Sequence, residues 1–109
     1  MTVKELKDTL SLTVLTEGDL DKEITGCYCG DLLSWVMSRA VEGDCWLTVM
    51  GNVNAVAVAV LTDCACIVLV EEAALDADAK SRAVQQGVTI LTTEKTTYDL
   101  AVAISELMK

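Results

Sequence analysis

Apolar positions first recur at helical intervals in residues 2–10, where Val3, Leu6 and Leu10 share one side of a short amphipathic helix. Thr2 stands three residues before Glu5, the spacing of a capping box. Leu12, Val14 and Leu15 then read as a brief strand, followed by the acidic turn-forming loop 16–22. Ile24 to Cys29 reads as a second strand. Asp31 can cap a helix through Ala40, whose Leu32, Leu33, Trp35, Val36 and Met37 cover so much of its circumference that burial on more than one side is expected. CWLTVM, residues 45–50, has the β-branched and aromatic content of a strand.

The Ala/Val run 53–61 fits either state by propensity. Asn52 and Asn54 offer caps and Thr62-Asp63 an exit, and a strand there would put two strands in succession without a crossover, so a buried helix is expected. ACIVLV, residues 65–70, is a continuous apolar run of strand length, as found in a central parallel strand covered on both faces. Asp76 or Asp78 opens a polar helix to Gln86, Gly87 supplies a left-handed stop, 88–92 is a last strand and 96–108 a closing helix. Alternation of strands and helices over a single 109-residue domain predicts a three-layer α/β/α sandwich around a mostly parallel sheet of about five strands.

The core must be built from small side chains, since the chain has no Phe, two Trp and two Tyr. Seventeen acids against eight bases leave a net charge of −9, which cannot neutralise a phosphate backbone, so neither nucleic acid nor an anionic membrane is an expected partner. No apolar run reaches transmembrane length, and the charged opening MTVKELKDTL lacks the apolar centre of a signal peptide, so a cytoplasmic location is expected. The lack of histidine removes the commonest general base and every Ser-His or Cys-His pair. There is also no phosphate-binding G-x-x-x-x-G-K-[ST] loop. These absences turn expectation away from an enzyme and towards a binding module without a cofactor.

The segments ITGCYCGDLLSWVM, NAVAVAVLTDCACIVLVE and VTILTTEKTTYDLAVAISEL together resemble the small stand-alone form of the DRTGG domain family. The resemblance implies a fold similar to the N-terminal domain of HPr kinase/phosphorylase and a non-catalytic regulatory role. It also implies company with CBS modules, hence adenine nucleotides as candidate effectors, and with kinase or hydrogenase-type redox systems as partners. The literal Asp-Arg-Thr-Gly-Gly string is missing, and its nearest remnant is Thr25-Gly26-Cys27.

Ligands of open parallel sheets collect at the carboxyl ends of the strands. Three junctions are therefore candidates: Thr25, Gly26, Cys27 and Asp31 after the second strand, Gly51, Asn52 and Asn54 after the third, and Thr92, Thr93 and Thr97 after the last. The plainer reading is that Thr, Asn and Gly are what such turns require. Acids at the same ends, Asp31, Glu71, Glu72 and Glu94, oppose a bare polyphosphate, and pairs such as Glu71-Glu72 or Asp76-Asp78 read first as solvated surface.

Five cysteines in an apolar setting read as reduced core residues. The alternative is a redox or metal site made by Cys27, Cys29, Cys64 and Cys66, with Cys29 the best single reactive thiol; against it, C-x-C on a strand spaces its members by about 6–7 Å, poorly suited to one ion. Trp35 and Trp46 are the largest apolar side chains and are expected in the core or in a homodimer interface.

Overall fold

A computed structural model describes residues 1–109. In chain order the elements are α1 (Val3–Leu10), β1 (Thr13–Thr16), β2 (Gly26–Cys29), α2 (Leu33–Arg39), β3 (Asp44–Thr48), α3 (Val53–Thr62), β4 (Cys66–Leu69), α4 (Ala77–Gln86), β5 (Ile90–Thr92) and α5 (Thr97–Leu107). The five strands form one sheet in the order β1-β5-β4-β3-β2. β2, β3, β4 and β5 are parallel. β1 runs antiparallel to β5, with a register break between Val14 and Thr16. The expected α/β sandwich is therefore present, with one edge strand reversed.

Local chemistry accounts for the helices. Thr2 and Glu5 make the reciprocal capping box on α1, and Ser11 ends it in the left-handed region at φ 55°. α3 is a helix despite its valines, because the Asn52 side chain accepts from Ala55 N–H at its start. It is buried on one face only, through Ala55, Val56 and Ala59, while Val60 and Leu61 are exposed, which corrects the expectation of a fully buried helix. Thr96 caps α5 by accepting from Asp99 N–H.

Two cores flank the sheet. Cys45, Leu47, Cys66, Val68 and Leu91 face α1 and α5 through Val3, Leu6, Leu100 and Ile104. On the other side Trp46, Ile67, Leu69 and Ile90 face α2, α3 and α4 through Val36, Ala55, Val56, Ala59, Ala79 and Ala83. β3 and β4 are buried along their whole length, as a central parallel pair requires. Trp46 is fully buried and its indole N–H donates to the Gly30 carbonyl at 2.9 Å.

α2 corrects two expectations. It is not buried on more than one side: Val36 is its only buried residue, while Leu32 and Trp35 are 59% and 52% exposed. The physical reason is position, since α2 spans only seven residues and lies over the β2 edge, where no further helix can cover it. Trp35 is thus outside the core, with the Arg39 guanidinium 3.7 Å from its ring centroid. Nor does Asp31 cap the helix; its carboxylate instead accepts from Thr48 Oγ1 at 2.7 Å and Val49 N–H at 2.9 Å, tying the β2 exit to the β3 exit.

Gly51 turns the chain from β3 into α3 so close to the neighbouring loop that a Cβ would run into the Ala74 carbonyl oxygen, while its own carbonyl accepts from Asp76 N–H at 2.8 Å. Gly87, the left-handed stop of α4 at φ 69°, has open space where its Cβ would be. Gly51→Ala is expected to lower the unfolding free energy by about 2–3 kcal/mol through backbone displacement, and Gly87→Ala by only about 1 kcal/mol through φ strain. Urea unfolding of both variants checks the ranking; equal costs would contradict it.

Candidate functional site

The chain leaves β4 towards α4 on one face of the sheet and leaves β5 towards α5 on the other. Adjacent parallel strands whose connections depart to opposite faces open a crevice at their carboxyl ends, the place where α/β sheets bind ligands. Here the two exits are held together by their backbones: Glu71 N–H donates to Lys95 O and Glu72 N–H to Thr93 O, both at 2.9 Å, and Thr93 N–H donates to Leu69 O at 3.1 Å. Glu71 and Glu72 adopt φ of 56° and 53° in succession. Two consecutive left-handed non-glycine residues carry strain of the kind that collects at functional positions.

A cleft of about 380 Å³ lies against this turn, lined by Leu10, Ser11, Thr13, Glu72, Thr92, Thr93, Glu94 and Lys95. It exists because β1 is antiparallel: its first residue, Thr13, is brought level with Thr92 and closes the side of the crevice. Four hydroxyls, two carboxylates and one ammonium make a lining suited to a polar, polyhydroxylated ligand. The volume lies at the low end of the roughly 300–1,000 Å³ usual for small-molecule sites.

The ten residues singled out in the sequence are divided between the two ends of the sheet. Thr92 and Thr93 line the cleft, and Thr97 follows in the first turn of α5. Asp31, Gly51, Asn52 and Asn54 share the carboxyl rim, but the first three are engaged in holding turns together, Asp31 with Thr48 and Val49, Gly51 with Asp76, and Asn52 with Ala55. Asn54 is exposed on α3.

Thr25 and Gly26 precede or open β2, so they lie at the amino end, opposite the cleft, and Cys27 follows Gly26 in the strand. There the absent Cβ of Gly26 makes room for the buried Asp44, whose Oδ1 would stand 2.6 Å away from it, and Thr25 Oγ1 donates to Glu42 O at 3.3 Å. Thr25-Gly26 thus seats the start of β3. Ser11 and Thr13 are lining residues with no signal in the sequence, since only the reversed β1 brings them to the Thr-rich junction, whereas Lys95 lies within the 92–97 junction itself.

A second cavity of about 300 Å³ opens at the amino end among Asp19, Lys22, Asp63, Cys64 and Thr89. Lys22 spans it, donating to Asp63 Oδ1 at 2.5 Å and to Cys64 O at 3.2 Å. An internal ammonium already holds the carboxylate and the helix-end carbonyl there.

The cysteines do not gather as the sequence suggested. Cys64 precedes β4 and packs on the α3 side, whereas Cys66 faces α1 and α5. Cys27 lies level with Cys45, and Cys45 level with Cys66, so the row across the sheet is 27-45-66, with the Cys45 and Cys66 sulfurs 3.7 Å apart. No group of three or more His, Cys, Asp or Glu side chains is arranged to hold a metal ion. Although Cys27 reaches solvent, protein packed around its thiol, with Cys29 beside it, pushes its pKa up to about 12. The hydrogen bond with Cys66 and burial hold Cys45 well above the ordinary thiol range, and burial raises Cys64.

Fold and cleft together define a class: a one-domain α/β sandwich with a polar crevice at the switch between β4 and β5. The chain belongs to the DRTGG domain family, which matches residues 5–107. It is also similar in structure to the CBS and DRTGG domains of the regulatory region of Clostridium perfringens pyrophosphatase, solved with the activator diadenosine tetraphosphate. The TM-score is 0.70 at 12% identity, over 94% of this chain and 45% of that one, so the likeness is one of fold and this chain spans less than half of that regulatory region. No curated protein matches the chain. No helix is long and apolar enough to cross a membrane.

A thiol with a pKa near 12 is on the order of 10⁻⁵ thiolate at pH 7, so Cys27 is expected to resist alkylation at neutral pH. Deprotonation is what activates it, and the raised pKa shifts that step to higher pH. The iodoacetamide rate at Cys27, resolved from Cys29 by tandem mass spectrometry, should rise about tenfold per pH unit through pH 9–11. A plateau near pH 9, as for an ordinary thiol, would contradict it.

Proposed function

We propose that this chain is a non-catalytic regulatory module that binds a small effector of the adenine nucleotide class in the crevice between the β4 and β5 exits. The observation that carries the reading is the hydroxyl-lined cleft standing against the strained Glu71-Glu72 turn at the switch point. Thr13, Thr92, Thr93 and Ser11 supply hydrogen bonds to a base edge or a ribose. Glu72 and Glu94 meet ribose hydroxyls directly, and meet phosphates only through Mg²⁺, because a bare polyphosphate is repelled by two carboxylates in a chain of net charge −9. Family membership and the nucleotide-bound regulatory region of similar fold support this ligand class. The acidic surface favours a basic patch on the protein it regulates, with redox (hydrogenase-type) or kinase systems as the partner class and the cytoplasm as the setting.

Thermal unfolding with adenosine, AMP, ATP and diadenosine tetraphosphate, each with and without Mg²⁺, tests the proposal. A bound effector at a hundred times its Kd stabilises by about 2.7 kcal/mol, a rise of roughly 10 °C for a domain of this size. Thr13→Ala removes an exposed hydroxyl that makes no hydrogen bond within the fold. It should weaken binding about fivefold, the worth of one hydrogen bond near 1 kcal/mol, and leave the unliganded melting temperature in place. No shift with any of the four compounds, or a shift that Thr13→Ala and Glu72→Gln leave intact, would overturn the assignment.

A further inference from the structure

β2 is the outermost strand on the side of the sheet away from the cleft, and its outer edge is open. Gly30 N–H donates to Leu47 O at 3.2 Å, which directs the backbone groups of Tyr28 and Gly30 to β3. Alternate residues turn their N–H and C=O groups to opposite sides, so those of Cys27 and Cys29 point outward. No hydrogen bond outside the sheet ladder reaches either residue.

Sheets usually protect such an edge with charge, proline or a bulge. The other edge strand, β1, has a register break; β2 has an unbroken register, and residues 24–30 hold none of the seventeen acids and no base. In a chain of net charge −9 this is where a second copy can approach without setting carboxylate against carboxylate. Exposed Leu32, Trp35 and Val49 flank it, with Trp35 held by Arg39.

We propose that β2 is the contact between two copies of this chain, paired antiparallel about a twofold axis to make one continuous sheet. The register follows from the outward groups. Only residues that present N–H and C=O to the edge can form a hydrogen-bonded pair, so Cys27 lies opposite the partner's Cys29 and Tyr28 opposite the partner's Tyr28. That arrangement forms four backbone hydrogen bonds. They are too few for a stable dimer, which needs about 1,200 Å² or more of buried surface, and Leu32, Trp35 and Val49 provide the remaining apolar contact. The interface is independent of the effector crevice, which lies between β4 and β5.

Sedimentation equilibrium in reducing buffer should show a concentration-dependent dimer. Diamide under mildly alkaline conditions should oxidise the Cys27 thiol and the partner's Cys29 thiol to a disulfide, the reagent taking up two electrons and two protons as it becomes the hydrazine. The covalent dimer should vanish in Cys27→Ser and in Cys29→Ser, each of which keeps a small side chain on the strand, and persist in Cys64→Ser. Cys29→Lys places a charge on the edge and should give a monomer with the circular dichroism of the parent. A monomer at every concentration, a crosslink that survives Cys27→Ser and Cys29→Ser, or a dimer unaffected by a folded Cys29→Lys would overturn the proposal.

Discussion

The arrangement of this domain depends on the change of side between β4 and β5. Three successive crossovers, α2, α3 and α4, are laid on one face, and the chain then sends α5 to the other, where α1 already sits. The two departures diverge although β4 and β5 stay paired, and a polar crevice remains beyond the carboxyl ends of the strands. The Glu71 and Glu72 amides bound to the Lys95 and Thr93 carbonyls fix its floor at the expense of two left-handed residues. Thr13 of the reversed β1 supplies its wall.

Small side chains make this geometry possible. Ala55, Ala59, Ala79 and Ala83 let α3 and α4 lie close against the sheet, so a chain without phenylalanine still encloses two apolar layers around β3 and β4. Close approach also explains why several residues that look functional are structural. Gly51 passes under the Ala74 backbone and Gly26 makes room for the Asp44 side chain, each where a Cβ has no space, and Asp31 binds two strand exits together by accepting from Thr48 and Val49. The Thr25-Gly26 remnant belongs to this category; it positions the start of β3 at the end of the sheet farthest from the cleft.

Much of the fold was legible because its signals are local. Asn52 marked the start of α3, Gly87 the end of α4, and the uninterrupted ACIVLV run a strand covered on both faces. The direction of β1 was not legible: a segment as short as Thr13–Thr16 has the same pattern whichever way it runs, and its direction is set by pairing with β5 across most of the chain. α2 misled because a count of apolar residues measures capacity for burial, and whether that capacity is used depends on being at a sheet edge. For the site, Thr92 and Thr93 were visible at the last strand end, while Ser11 and Thr13 were hidden by the same unreadable direction. Cys45 was overlooked for a related reason, since register between strands put it between Cys27 and Cys66 although it belongs to neither C-x-C pair.

The most direct measurement is an amide NMR titration of the isotopically labelled chain with Mg²⁺-adenine nucleotides. Effector binding at the divergence of β4 and β5 predicts shift changes concentrated in Ser11–Thr13, Glu71–Glu72 and Thr92–Thr97, on three segments distant in sequence. Changes centred instead on Lys22, Asp63 and Thr89 at the opposite end of the sheet, or an unchanged spectrum throughout the titration, would contradict the account.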